Sequence, residues 1–308
     1  VIDLVDEIRT ACAWVASRAT HVVVDEAAIP AYAAALPPAS AAPGLDPEAH
    51  WLDGPGEARA AFCLTLDAIN FGSGWFPTLR KRGGRSGYHT IALGLRDRFA
   101  AHGPWSAAQL RALGPAEIAA TLRQDPEHEL MALFAASLND VGAHIAAEHD
   151  GRFVGPARRA GDSAVALAQR LASWESFGDV STYAGRRVPF LKRAQLAAAD
   201  LHHAGVAWFA DLGRLTLFAD NLVPHVLRLD GVLRFEPGLV ARIEAGEPIE
   251  HESPEEVEMR AGAVHAAELI CAARPDLRPH QIDHILWTRG GGARYKAVPR
   301  PRARCTAY

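Results

Sequence analysis

Lysine is almost missing from this chain. Of its 308 residues 32 are lysine or arginine, and only Lys81, Lys192 and Lys296 are lysines. Arginine is the default cation, a bias that genome composition or heat tolerance produces, so Lys192 is a departure. A compact ammonium there suits a phosphate or hydroxyl; a chance surface lysine is the alternative. Cysteine is scarce too. Cys12, Cys63, Cys271 and Cys305 lie far apart with no C-x-x-C pair, which excludes a disulfide framework or a zinc ribbon and fits a reduced, cytoplasmic protein. Uninterrupted apolar runs are lacking as well. The Ala-rich stretch from Ala27 to Leu45 is broken by Pro30, Pro37, Pro38 and Pro43 and cannot cross a membrane as a regular helix. No signal peptide is evident, and the expectation is a soluble protein. Excess positive charge is absent: the net charge is −4 and the pI about 6.4. That disfavours a long polyanionic partner, which needs many Lys/Arg–phosphate contacts. A single phosphate needs only two or three cations and stays allowed.

The period that dominates is helical. Apolar Ile2, Val5, Ile8, Ala11 and Val15 form one stripe over 1–17. Further helices are predicted over 59–70, 88–102, 106–113, 115–123, 127–149, 158–174, 190–203, 254–273 and 279–287. Ser253-Pro254-Glu255-Glu256 combines a Ser cap, a Pro at the first helical position and the Glu of a capping box. Ser106 and Asp125-Pro126 are similar start signals. Strand signals are few: 215–218, 232–235 and a short extended piece in THVVVDE. The Pro/Ala segment ending at Gly44 reads as a connector. The reading is a mostly α chain forming a single compact domain over 1–308 with at most a small β element. A helical part spans about 1–150 and a site-bearing part about 151–308. At 49% hydrophobic the chain can bury a full core.

Candidate chemistry concentrates between Tyr183 and Pro224. Arg193 and Asp200 are seven apart, two helical turns, and share a stripe; Lys192 and Gln195 share another. An internal ion-pair network and a ligand site are both compatible with that spacing. Asp220 stands just before a helix through Pro224 and Val226, where it is either an N-cap or a functional acid whose ionised form the helix terminus favours. Asp283 lies four residues before Trp287 and shares its helical face. Asp67 and Asn70 are one turn apart, and Gly72 and Gly74 let backbone approach closely. The basic loop LRKRGGRSGYH lacks the order of a phosphate-binding P-loop and reads as a solvated turn. His144 and His149 are five apart, and His280 and His284 are four apart without the Glu of H-E-x-x-H, so no metal is expected.

The segment YAGRRVPFLKRAQLAAADLHHAGVAWFADLGRLTLFADNLVP, with SPEEVEMRAGAVHAAELI, QIDHILW and the terminal VPRPRARCTAY, resembles the queuosine salvage proteins. LTLDAINF and SGYHT carry a weaker resemblance. Members of that family are hydrolases that release queuine from queuosine 5'-monophosphate. The resemblance implies Asp220 as nucleophile or transition-state stabiliser. It implies Lys192 and Arg193 as phosphate or ribose contacts, oriented by Asp200. His50, Phe218, Asn221 and Asp283 would hold the base, with Phe218 packing on it and an Asp283 carboxylate accepting from its N–H groups. The partner is a small nucleotide, with no cofactor, polymeric nucleic acid or membrane required. Thr288 stands where the family has an acid. The helical fold would be of the DNA-glycosylase kind. A helical base-excision protein acting on a polymer and a non-catalytic queuosine binder remain open at this point. The tail suggests a docked C-terminus, with Arg304 and Tyr308 either near the site or in a structural clasp.

Overall fold

Residues 3–39 and 44–308 are described by the computed structural model. Ile2, expected in the first helix, and Pro43, expected to interrupt the Ala-rich stretch, lie outside the described residues. The apolar stripe near the N-terminus becomes α1 (Leu4–Ala16), which starts where Asp3 accepts from the Asp6 N–H at 3.1 Å and buries Val5, Ile8, Cys12 and Val15. Next come β1 (Val22–Val24), α2 (Ile29–Ala35), α3 (Gly56–Ala68), α4 (Gly87–His102), α5 (Ala107–Ala112), α6 (Pro115–Leu122) and α7 (Glu129–His149). After these come α8 (Gly155–Ala160), α9 (Ala164–Leu171), β2 (Val180–Tyr183), β3 (Arg186–Pro189), α10 (Lys192–His203) and α11 (Leu222–Leu229). The chain continues through β4 (Leu233–Phe235), α12 (Pro237–Glu244), α13 (Pro254–Ala273), α14 (Pro279–Gly290) and α15 (Ala293–Lys296). The protein is mostly α, with two antiparallel strand pairs: β1 with β4 (Val22 opposite Phe235) and β2 with β3 (Ser181 opposite Val188).

Several expectations are corrected. Residues 215–218 do not form a strand; their polar groups bond to side chains of α10 and α14 instead of a ladder. The helix expected over 158–174 is two, because Gly161 takes φ +66° between α8 and α9. The Pro/Ala connector contains α2, with Pro30 in its first turn, where its missing N–H costs nothing. Asp125 closes a turn onto the Glu127 N–H at 3.0 Å, and α7 starts later behind His128. The β2–β3 hairpin turns on Ala184 and Gly185, both at positive φ, as a tight two-residue hairpin requires.

The helix α13 is the hub, packed against α1, α2, α11 and α14. Its Glu258 faces the start of β1: Oε2 accepts from the N–H groups of Thr20 (3.0 Å), His21 (2.7 Å) and Val22 (2.9 Å), and Oε1 from the Tyr183 hydroxyl (2.8 Å). The helix α7 is long and apolar enough to cross a membrane by length and composition, but its apolar face packs on α3, α5 and α6. Two helix pairings set up the site. The helix α10 lies on α3, and α11 lies on α14.

The C-terminal segment is docked, as the RCTAY ending suggests. Pro301, Ala303, Cys305 and Ala307 are buried, alternating with more accessible Arg302, Arg304 and Thr306, so the tail reads as an extended strip with one inward face. Its backbone is held at both ends: Ile249 N–H donates to Arg302 O at 2.8 Å and Gly72 N–H to Tyr308 O at 2.9 Å. At Gly74 a Cβ would stand 2.3 Å from Ala303 O, so the close approach foreseen for this glycine is to the tail. Gly74→Ala should cost about 1–3 kcal/mol by forcing these backbones apart. Urea denaturation and tryptic cleavage after Arg302 and Arg304 check this; wild-type stability with an equally protected tail would contradict it.

Candidate active site

The irregular segment 215–221 is held at nearly every residue. Gln195 of α10 accepts from Thr216 N–H at 2.9 Å and donates to Thr216 Oγ1 at 2.9 Å. Asp283 Oδ1 accepts from Phe218 N–H at 3.1 Å, and Arg260 Nε donates to Ala219 O at 3.1 Å. Asp220 Oδ1 accepts from the N–H groups of Leu222 (2.8 Å) and Val223 (2.9 Å). Through Oδ1, Asp220 holds the first turn of α11 from just before its N-cap residue, Asn221. Asn221 Nδ2 donates to Pro301 O at 2.6 Å, so this amide anchors the tail beside Asp220.

The entry to α10 is equally constrained. The buried Asp179 uses Oδ2 to accept from Lys192 N–H at 3.0 Å and from Arg260 Nη2 at 2.6 Å. Between them Leu191, a bulky apolar residue, takes the left-handed conformation at φ +51°. Such a conformation costs on the order of 1–3 kcal/mol and persists where the surroundings dictate it. It aims Lys192 inward. Lys192 is 6% exposed and its Nζ donates to Asn70 O at 2.8 Å. Burial lowers its pKa, while the charges of Asp220, Asp67 and Asp283 oppose that. Arg193 points elsewhere. Its guanidinium donates to Ala68 O and covers the Phe71 ring at 4.9 Å, and burial brings its pKa down to about 10. The expected cationic pair is thus split, because adjacent helical residues diverge by about 100°; Arg193 clasps the end of α3.

Asp200, Asp67 and His50 form a second cluster. Asp67 is wholly buried, with no N–H or uncharged O–H donor reaching either oxygen. The acid beside it is Asp200. Burial raises the Asp67 pKa well above the ordinary range, Asp200 adds to it, and Lys192 opposes. His50 Nε2 lies 3.8 Å from Asp200 Oδ2 and 3.5 Å from the Tyr88 hydroxyl, and Nδ1 is 2.9 Å from Asp46 O. Burial disfavours its charged form, but Asp200 and Asp46 outweigh that and raise its pKa. Asp283 is also raised well above the ordinary range, by burial and then by Asp220. That shift favours its neutral form. Tyr88 and His89 meet the Trp287 ring at 5.5 and 5.9 Å, an aromatic wall one turn from Asp283, and the Phe218 ring lies 6.3 Å from His284. Thr288 is exposed.

Of the predicted site residues, Lys192, Asp220 and Asp283 converge, and Asp200 with His50 joins them through Asp67. Phe218 lines the same segment. His50, Asp67 and Tyr88 come from the first half of the chain and lie beside Asp200 from the second. Arg260 and Asp179 were not anticipated; a charged residue inside an otherwise apolar helix was the available signal. A separate groove of about 430 Å3 beside α8 contains Glu57, Arg152, Arg158 and Trp208, but its acid already accepts from Phe153 and Val154 N–H groups.

These features give a class, a helical protein whose buried carboxyls surround one lysine, an arrangement compatible with a hydrolase acting on a small molecule. The chain belongs to the queuosine salvage protein family, whose model matches residues 50–308. It is 35% identical over 279 residues to the queuosine 5'-phosphate N-glycosylase/hydrolase of Sphaerobacter thermophilus, covering 86% of each chain. The Mus musculus protein of the same name is 30% identical over 189 residues, covering 56% of each. That of Schizosaccharomyces pombe is 36% identical over 123 residues, 38% of this chain and 36% of that one.

The raised Asp67 pKa has a definite sign. The unfolded chain ionises Asp67 above the ordinary aspartate value while the fold retains the proton, so this carboxyl erodes stability as pH rises toward its folded value. Asp67→Asn, which cannot ionise, should gain stability relative to wild type between pH 5 and pH 8, by up to about 1.4 kcal/mol per pH unit. Denaturation at both values measures it. A stability difference that does not move with pH would mean the carboxyl ionises freely.

Proposed function

We propose that the protein hydrolyses the N-glycosidic bond of queuosine 5'-monophosphate to queuine and ribose 5-phosphate. The observation that carries this reading is the clamped Asp220, with one oxygen on two backbone N–H groups at the head of α11 and Lys192 charge nearby. Two N–H donors fix the Asp220 carboxylate in place. An immobile carboxylate is what a developing oxocarbenium-like centre needs. The relatives, queuosine 5'-phosphate N-glycosylase/hydrolases, support the substrate.

In this mechanism Asp220 stands against the anomeric carbon and stabilises its positive charge. Lys192 balances the surrounding acids and contacts the sugar. The base leaves toward Asp283, whose raised pKa favours a form that can donate to it as well as accept, between Phe218 and the Tyr88–Trp287 wall. His50 and Asp200 hold the far edge. A water oxygen bonds to the anomeric carbon as the bond to the base nitrogen breaks, and the protons of that water go to the base and the new hydroxyl. Neither a metal nor a redox cofactor is required, and the substrate is a free nucleotide in the cytoplasm.

Asp220→Asn should lower kcat for queuine release by roughly 10³-fold or more while the substrate still binds in calorimetry. Near wild-type turnover in this variant would end the assignment. Free base, followed by chromatography and mass spectrometry, separates hydrolysis from mere binding.

A further inference from the structure

Splitting Lys192 from Arg193 removes half of the expected phosphate grip, and Lys192 itself sits among acids. A different group of cations has the opposite surroundings. Arg300 and Arg302 flank Pro301, whose carbonyl Asn221 holds at 2.6 Å, so both leave the tail directly beside the Asp220–Asn221 turn. Residues two apart on an extended strip share a face, which the burial pattern of the tail follows. Arg302 Nη1 donates to Ser73 O at 2.6 Å, and Lys81 Nζ donates to Phe76 O in the same turn. All three cations therefore border the turn 72–78 or the Asp220 segment.

None of the three forms an ion pair among the described residues, in a chain where most arginines do. Arg300 is the most isolated: its Nε is buried without a hydrogen-bond partner, and the charge of Asp220 is the one acid felt. The cations also repel one another. Burial first, then Arg302 and Arg300, lowers the Lys81 pKa to about 8. Burial and Arg300 lower that of Arg302 to about 10. Neighbouring His225 offers no compensation; burial, then Arg228, Arg300 and Arg302, keeps it neutral with a pKa of about 4. Like charges gathered against their own repulsion beside a reacting centre suit an anionic ligand.

We propose that Arg300, Arg302 and Lys81 form the cradle for the 5'-phosphate and set the preference for nucleotide over nucleoside. Lys192 is then free for the sugar and Asp220. The assignment rests on the nucleotide reading above, and it lays the substrate along one line: base toward Asp283 and His50, ribose over Asp220, phosphate between the tail and the 72–81 turn. Guanidinium groups grip a phosphate through paired N–H donors, and the unpartnered Arg300 has all of its donors available.

The test uses Arg300→Ala, Arg302→Ala, the double variant and Lys81→Gln, each assayed on queuosine 5'-monophosphate and on queuosine. The ratio of kcat/KM for nucleotide over nucleoside should fall about 10–100-fold per arginine, the size of a lost charge-assisted contact. Equal losses on both compounds would overturn the cradle and make the arginines mere supports of the tail. Lys81→Gln, on the exposed rim, reports on the same site without disturbing the docked strip. Inorganic phosphate gives an independent readout: it should raise the melting temperature of the wild type and not that of the double variant. If the wild type hydrolyses neither compound, the proposed function fails, and the phosphate shift still decides the anion site. An undiminished shift in the double variant would overturn it.

Discussion

The Arg260 guanidinium holds the centre of this molecule. It is 1% exposed, bonded to Asp179 and to Ala219 O, 3.7 Å from Glu256, and stacked between the rings of Phe190 at 4.0 Å and Tyr308 at 4.8 Å. Each contact belongs to a different part of the site: the start of α10, the segment before Asp220, the hub helix and the tail. Breaking a buried pair from one side costs about 3–5 kcal/mol because the other charge is stranded. Here a lost Arg260 would strand two acids at once. The loop that carries Asp220 is irregular but not loose, because a charge that cannot leave the core holds its backbone.

From that anchor the pocket is arranged by differences of environment. Asp220 keeps two backbone donors, whereas burial and neighbouring acids push the Asp283 and Asp67 carboxyls up in pKa. Asp200 stands 3.8 Å from His50 Nε2. A single lysine in the middle lowers the cost of gathering so many carboxyls. Chemically identical side chains thus take different roles according to burial and neighbours, and a change at any one of them alters the proton balance of the rest.

Much of this was legible in the sequence. The stripe of α1, the Ser253 box of α13 and the start of α14 give most of the helices, because burial of a periodic face and capping are local properties. The β2–β3 hairpin and α12 were not foreseen; the second is capped by Glu236 on Gly238 and Leu239 N–H, a signal that a proline-rich stretch obscured. At the site, Asp220 and Asp283 were legible as acids at suggestive positions. The separation of Lys192 from Arg193 follows from helix geometry and could have been deduced. The pairing of Asp67 with Asp200 and the role of the tail arginines could not, since both depend on which distant helices pack together.

Glu258 has a consequence for how the molecule comes to be folded. Its carboxylate gathers the N–H groups of Thr20, His21 and Val22, the last of them 236 residues away in the chain. As the chain is made, those donors have only water until α13 has formed, so β1 and the helix packed beside it are ordered late. Helical proteins rich in local contacts fold fast, whereas pairings across such separations slow the search. With site residues also drawn from His50 through Asp283, a competent pocket arises only when nearly the whole chain is in place, and partly folded chains have none.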